Sequence, residues 1–154
     1  IQEIVSLRHE LHQHPEVRFE ERWTSERICR FLDDVGIPYK TGYCGGTGIV
    51  ATLDGDFAGR SIGLRSDIDA LEVQELTGLP YASTTANRMH ACGHDGHMAC
   101  LCGAAKVLAA NRDLLHGTVR FIFQPAEELG NGGERMVGEG ILDGVDAVFA
   151  LHGW

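Results

Sequence analysis

The hydrophobic positions of the chain fall into two rhythms. In "IQEIVSLRHELHQHPE" the apolar residues Ile4, Leu7 and Leu11 recur at three- and four-residue spacing and Pro15 stops the run, which predicts a first helix. "TSERICRFLDDVG" repeats the pattern with Ile28, Phe31, Leu32 and Val35 on one face; Thr24 or Ser25 is expected to cap its start and Gly36 to close its end. The period then shortens. "TGIVATLDG" and "RSIGLRSD" are brief β-rich runs separated by Gly and Asp, and predict two strands paired as a hairpin.

A helix returns in "DGHMACLCGAAKVLAANRDLL", whose small residues Ala99, Gly103, Ala104 and Ala105 would permit close packing on a sheet. "TVRFIFQ" reads as a strand, "GGERMVGEGILDG" as a short helix and "VDAVFALHG" as a final strand. Strand and helix alternating in this order predict an α/β fold with a mostly parallel sheet flanked by helices. No repeat, low-complexity tract or linker interrupts the pattern, and 154 residues suffice for one domain with its own core.

Composition narrows the choice of partner. With 22 acidic against 13 basic residues and no basic cluster interleaved with aromatics, nucleic acid is not an expected partner. No apolar run reaches the length of a membrane span, so no membrane partner is expected either. The five cysteines are odd in number and lack the spacing of a disulfide framework, which points to a reducing, cytoplasmic setting. The chain opens on Ile1, so its native start is expected upstream.

Chemistry concentrates in "HACGHDGH", residues 90–97, which holds three of the chain's 8 histidines with a cysteine and an aspartate. Three more polar clusters follow predicted strands: Asp67 and Asp69 end "SIGLRSD", Glu127 and Glu128 follow "TVRFIFQPA", and His152 ends "AVFAL". Ligands of open α/β sheets bind beyond the carboxyl ends of the strands, so these clusters are expected to converge. Residues two apart on extended segments share a side, which pairs Cys92 with His94 and Asp67 with Asp69. Neighbours diverge, so Glu127 and Glu128 are expected to face different targets, one a metal and one a proton. Thiolate, imidazole and carboxylate together suit zinc or a similar transition metal, not magnesium or calcium. Cys92, His94, Glu128 and His152 already make four donors, and with Asp67 and Asp69 nearby there are too many for one catalytic ion that keeps a place for water. Two metals sharing a bridging water are expected.

These stretches resemble the metal-dependent N-acyl-amino-acid amidohydrolases, which include hippurate hydrolase, bacterial aminoacylases and plant hydrolases of auxin–amino-acid conjugates, and are related to dinuclear zinc carboxypeptidases. The resemblance runs through "RHELHQHPEVRFEE", "TSERICRFLDDVG", "LRSDIDALEVQE", "HACGHDGHMA", "FIFQPAEELGNGGERMV" and "LHGW". It implies that Cys92, His94, Glu128 and His152 ligate two divalent ions (zinc, or manganese, cobalt or nickel) and that Glu127 is the general acid and base. Asp67 and Asp69 stand where related carboxypeptidases carry a metal-binding histidine and its orienting aspartate. Because Asp67 replaces that histidine, both are placed near the site, as are Asp95 and His97, and none of these four is counted as a ligand. The implied substrate is a small N-acyl amino acid, hippurate-like or N-acetylated, whose amide is attacked by a metal-activated water with Glu127 as base.

Family members are about twice this length or more, with a lid and dimerisation domain inserted in the catalytic domain, and a homodimer or higher assembly is implied for the full-length protein. Residues 1–154 are accordingly expected to be the N-terminal segment of the catalytic metal-binding domain, without the lid and without the returning segment that brings a last histidine. The alternatives are a metal-binding fragment without turnover, or a dipeptidase or carboxypeptidase of the same fold. The remaining candidates read as structural. Cys29, Cys100 and Cys102 are expected to be small buried hydrophobes, and Cys44 a structural thiol. His9, His12 and His14 are expected to be solvated or capping, and His116 a surface residue at a helix end. His90 shares a side with Cys92 without matching a ligand motif. His97 suits a supporting role at the site and a plain first-turn position equally well.

Overall fold

The computed structural model describes residues Ile1–Gly153; Trp154, the last residue of "LHGW", lies outside them. Two helices come first, α1 (Gln2–Gln13) and α2 (Arg22–Asp34), then three strands, β1 (Tyr39–Tyr43), β2 (Gly48–Asp54) and β3 (Phe57–Asp67). A long irregular segment leads to α3 (His94–Ala110), followed by β4 (His116–Gln124), α4 (Gly132–Gly138) and β5 (Ala147–Ala150). The strands form one five-stranded sheet in the order β1-β2-β4-β3-β5. β3 is parallel to both β4 and β5, while β2 is antiparallel to β1 and β4.

Alternation along the strands builds two layers on the sheet. Ile49, Ala51 and Leu53 of β2 and Val119, Phe121 and Phe123 of β4 face α1, α2 and α3, where they join Leu7, Leu11, Ile28, Leu32 and Met98 in the main core. Val50 and Ile122 point the other way and pack with Met136, Ile141 and Cys44 beneath α4. The expected helices are therefore present on both faces. No helix among the described residues is long and apolar enough to cross a membrane.

Several expectations change. β2 and β3 do not form a hairpin, because β4 lies between them. The Gly55 amide donates to Gly117 O and the Phe57 amide to Leu115 O, so the short connection straddles the start of β4 instead of folding back on itself. The strand with buried Val119, Phe121, Ile122 and Phe123 takes the centre, where both of its edges and both of its faces are covered. The antiparallel hairpin is β1–β2, and "YKTGY" escapes a pattern reading because an edge strand with three exposed central residues carries little apolar signal.

Helix α2 begins before Thr24 and Ser25, which are buried inside it. Its start is capped from a distance: the Glu16 carboxylate accepts the amides of Trp23 (3.1 Å) and Thr24 (2.8 Å). Its end is as expected, with Gly36 left-handed and the Ile37 amide returning to Leu32 O. In α3, Ala99 and Ala105 are buried in the core, but Gly103 faces Ile4 of α1, so its lack of a side chain serves a helix–helix contact. His116 opens β4, exposed and stacked on Phe57, and does not end a helix. Cys100 is exposed and Cys29 half-buried, whereas Cys102 and Cys44 are buried; all five thiols are free.

Candidate metal centre

The parallel half of the sheet sets the place. β3 ends on Asp67, with Asp69 two residues on; β4 ends on Gln124 ahead of a turn carrying Glu127 and Glu128; His152 lies just past β5. In register Asp67 is opposite Gln124, and Arg65 opposite Ala150, so the three strand ends lie side by side. α3 starts among them at His94. Its N-cap, Gly93, has φ 82°, a conformation that side chains resist, and the tight turn brings Cys92 and His94 to one place. They converge through this turn and helix start, not through an extended segment.

His94 is the hub. Donor atoms of Cys92, His94 and Glu128 lie within 4.8 Å of one another, and so do those of Asp67, His94, His97 and His152. The Nδ1 of His94 is 2.8 Å from the carbonyl oxygen of Asp69 and so carries the proton, which turns the Nε2 lone pair to the centre. That Nε2 is buried without a hydrogen-bond partner, as is Oε1 of Glu128. Around it stand Asp67 Oδ2 at 3.8 Å, Glu127 Oε2 at 3.7 Å and Glu128 Oε1 at 3.8 Å. His152 Nε2 is 3.9 Å from Cys92 Sγ and 3.5 Å from Asp67 Oδ2. The three carboxylate gaps to His94 are too long for hydrogen bonds, and the contacts of His152 are at the limit of one. The carboxylate gaps match donors about 3.3–3.8 Å apart at the corners of a tetrahedron whose metal bonds are about 2.0–2.3 Å long. An orphaned imidazole nitrogen, an orphaned carboxylate oxygen and a thiol in that arrangement fit a divalent transition metal.

Glu127 and Glu128 do not diverge as neighbours on a strand would. They sit in a turn, where alternation does not hold, and both carboxylates reach the same imidazole. Asp67 is held on both oxygens, by His97 Nδ1 at 2.7 Å and Arg65 Nη1 at 2.8 Å. The other nitrogen of His97 accepts the Gly153 amide at 2.9 Å, so His97 ties the segment around His152 to Asp67. Asp69 accepts the Glu128 amide and stands against the His94 ring, with Oδ1 at 3.3 Å from Nδ1.

The charges are concentrated and buried. Burial pulls the His94 pKa down, but the hydrogen bond to Asp69 and the charges of Asp67 and Asp69 outweigh it, and the pKa is raised. Burial works to raise Asp69, yet His94 and the amides of Glu128 and Glu127 hold it below the usual carboxylate range. The Cys92 thiol is pushed up to about 11 by burial and then by Glu128, Glu127 and Asp67. A divalent cation reverses that balance, since a coordinating thiol loses its proton.

Asp95, the neighbour of His94, turns away. A helical step of about 100° carries its side chain to α1, where Arg8 Nε is at 2.7 Å and His12 Nδ1 at 2.8 Å. His12 is thus neither solvated nor a cap: it is buried and bridges Asp95 to Glu75 Oε1 at 3.3 Å. Glu75 also accepts the Thr77 hydroxyl and the Ser83 amide. Tyr81 stacks on His9 at 3.7 Å, and the Thr84 amide donates to Gln13 O. This network fastens the irregular segment 71–93, which carries Cys92 near its end, to α1. The only local signal for it was His12 beside Leu11, on the helix face that carries the buried residues. His90 is buried with neither ring nitrogen partnered.

With the geometry fixed, comparison with known proteins supplies the lineage. The model of Peptidase family M20/M25/M40 matches residues 63–154, which include every donor of the metal centre described above. The chain belongs to this peptidase family. It is 47% identical over 150 residues to an N-acetyl-L-cysteine deacetylase of Bacillus subtilis (strain 168), covering 97% of this chain and 36% of that protein. It is 42% identical over 158 residues to an N-acyl-L-amino acid amidohydrolase of Geobacillus stearothermophilus, covering 99% and 41%. The crystal structure of the Bacillus subtilis YXEP protein, a dinuclear metal binding peptidase from the M20 family, superposes with a TM-score of 0.95 at 43% identity, over 99% of this chain and 43% of that one. The chain therefore spans under half the length of these relatives.

Proposed function

We propose that this chain forms the N-terminal, metal-binding part of the catalytic domain of an enzyme that hydrolyses the amide bond of N-acyl amino acids. The observation that carries the reading is the pair of donor groups sharing one buried, unpartnered imidazole, His94, with Glu127 beside it. The relatives named as deacetylase and amidohydrolase support the substrate class, and the dinuclear description of the YXEP structure supports two divalent ions. Cys92, His94, Glu128 and His152 would hold them, zinc being the best match to a thiolate and imidazole set and manganese, cobalt or nickel the alternatives. Divalent ions bound there supply Lewis-acid polarisation of the amide carbonyl and make water acidic enough to attack near neutral pH.

The protein groups do the rest. Glu127, half-buried at the mouth, takes a proton from the attacking water as a C–O bond forms, and hands it to the nitrogen as the C–N bond breaks. A carboxylic acid and a free amino acid leave. Asp69 fixes the His94 ring, Arg65 and His97 fix Asp67, and His97 steadies the segment around His152. The lid, the dimer or higher assembly and the last histidine ligand belong to sequence outside residues 1–154. A reducing, cytoplasmic compartment suits five free thiols, one of them at the metal site.

Replacing Glu127 by Gln keeps shape and removes the proton carrier. Turnover of N-acetyl amino acids and hippurate, assayed in the chain and in a longer form of the relatives' length, should fall about 10²–10⁴-fold while metal content stays unchanged. An active Glu127→Gln variant would overturn the role of Glu127. A peptidase reading is favoured by the description of the YXEP protein, and faster cleavage of dipeptides than of acetylated amino acids would select it.

A further inference from the structure

The turn that carries Glu127 and Glu128 is held in an unfavourable backbone state by a group outside the metal centre. Ala126, immediately before Glu127, has φ 52°, in the left-handed region that alanine avoids. Its amide is held by Glu21, 105 residues away, whose Oε1 accepts it at 3.0 Å. Glu21 stands at the start of α2, is 0% exposed, and makes no ion pair among the described residues. A carboxylate buried there without a cation is costly, and its side chain makes no capping bond to α2. On the far side of the turn the Ala126 carbonyl accepts the Gly132 amide at 3.1 Å, and the Glu128 amide donates to Asp69. Glu21 and Asp69 thus grip the turn from opposite sides, one from the α2 layer and one from the end of β3.

We infer that Glu21 is a positioning residue for the catalytic turn: by holding the Ala126 amide it keeps that residue left-handed and aims the carboxylates of Glu127 and Glu128 at His94. The inference rests on the metal-centre reading above. Released from Glu21, Ala126 relaxes towards ordinary φ, and both following side chains rotate away from the imidazole. Because Gln presents an acceptor oxygen in the same place, Glu21→Gln preserves the grip, and Glu21→Ala removes it.

The test titrates cobalt(II) into the chain and follows thiolate-to-cobalt absorption, alongside amide hydrogen exchange at residues 126–128. Wild type, Glu21→Ala, Glu21→Gln, Cys92→Ser and the destabilised control Ile28→Val, from the same helix, are compared. Glu21→Ala is expected to bind cobalt about 10-fold or more weakly and to exchange the Ala126 amide faster, with Glu21→Gln restoring both and Ile28→Val changing neither. If Glu21→Ala does not fold, Glu21→Asp, one methylene too short to keep the bond, takes its place. A folded Glu21→Ala with wild-type affinity and wild-type exchange overturns the inference, as does equal weakening in Glu21→Gln. Unchanged absorption in Cys92→Ser, or no binding by wild type, counts against the metal-centre reading instead. Exchange at Ala126 then decides the part of Glu21 alone: protection lost in Glu21→Ala supports it, and protection kept overturns it.

Discussion

Replacing His12 by Ala removes the bridge between two buried carboxylates, and the structure allows the cost to be worked out. His12 bonds Asp95 at 2.8 Å and Glu75 at 3.3 Å, and its side chain is 4% exposed. Hydrogen bonds to charged groups contribute about 1.5–3 kcal/mol each, but the longer bond to Glu75 belongs at or below the lower end. Neither carboxylate is fully stranded, since Asp95 keeps Arg8 and Glu75 keeps Thr77 and the Ser83 amide. The loss should therefore sit at the bottom of the ~3–5 kcal/mol range expected when a buried charge loses its last partner, and about 3 kcal/mol is the working figure. With a urea dependence of about 2 kcal/mol per molar for a chain of this size, the midpoint of unfolding should drop by about 1.5 M. Urea titrations of wild type, His12→Ala, Glu75→Gln and the double variant measure both the cost and the coupling between the two positions. A loss under about 0.5 kcal/mol, or single-variant losses that simply add within about 0.3–0.5 kcal/mol, would refute the view that these residues act as one network fastening segment 71–93 to α1.

Other outcomes follow from the same geometry. Burial works to raise the Glu75 pKa, but Thr77, Ser83 and His12 hold it below the usual carboxylate range. Its stabilising effect is therefore present above the ordinary carboxylate pKa of about 4.3 and is lost as pH falls through the lower folded value, so Glu75→Gln should flatten the acid limb of a stability–pH curve. An unchanged limb would contradict this. A side chain at Gly132 would meet Pro125 O at 1.7 Å, so Gly132→Ala should shift the turn after β4 and reduce metal retention, read by elemental analysis. Val148 and Phe149 are exposed on β5, a strand with one unpaired edge, and Phe149→Lys should lower self-association of the chain in analytical ultracentrifugation.

What the sequence made legible was local. The stripes Ile4, Leu7, Leu11 and Ile28, Phe31, Leu32 become the buried faces of α1 and α2, and "TVRFIFQ" becomes the central strand. The convergence of Asp67, Cys92, His94, Glu127, Glu128 and His152 was readable because each cluster follows a strand or opens a helix in a sheet whose parallel strands end together. Pairing was not readable, since the order β2-β4-β3 depends on a strand that arrives about fifty residues later in the chain. Polar burial was not readable either. His12 and Glu21 look like surface residues of two polar helix ends, and only the irregular segment 71–93 and the turn after β4, folding over them, make them interior. Glu127 and Glu128 were expected to diverge by strand geometry, and a turn governs them instead.

The most direct measurement is metal per chain, by elemental analysis of the purified protein beside its Cys92→Ser variant. Near-stoichiometric zinc or manganese that falls sharply in Cys92→Ser is the predicted result, because Cys92, His94 and Glu128 already stand at ligand spacing around one buried imidazole. Metal content equal in the two proteins, or absent from both after loading with zinc, would contradict the claim that these residues form a metal centre.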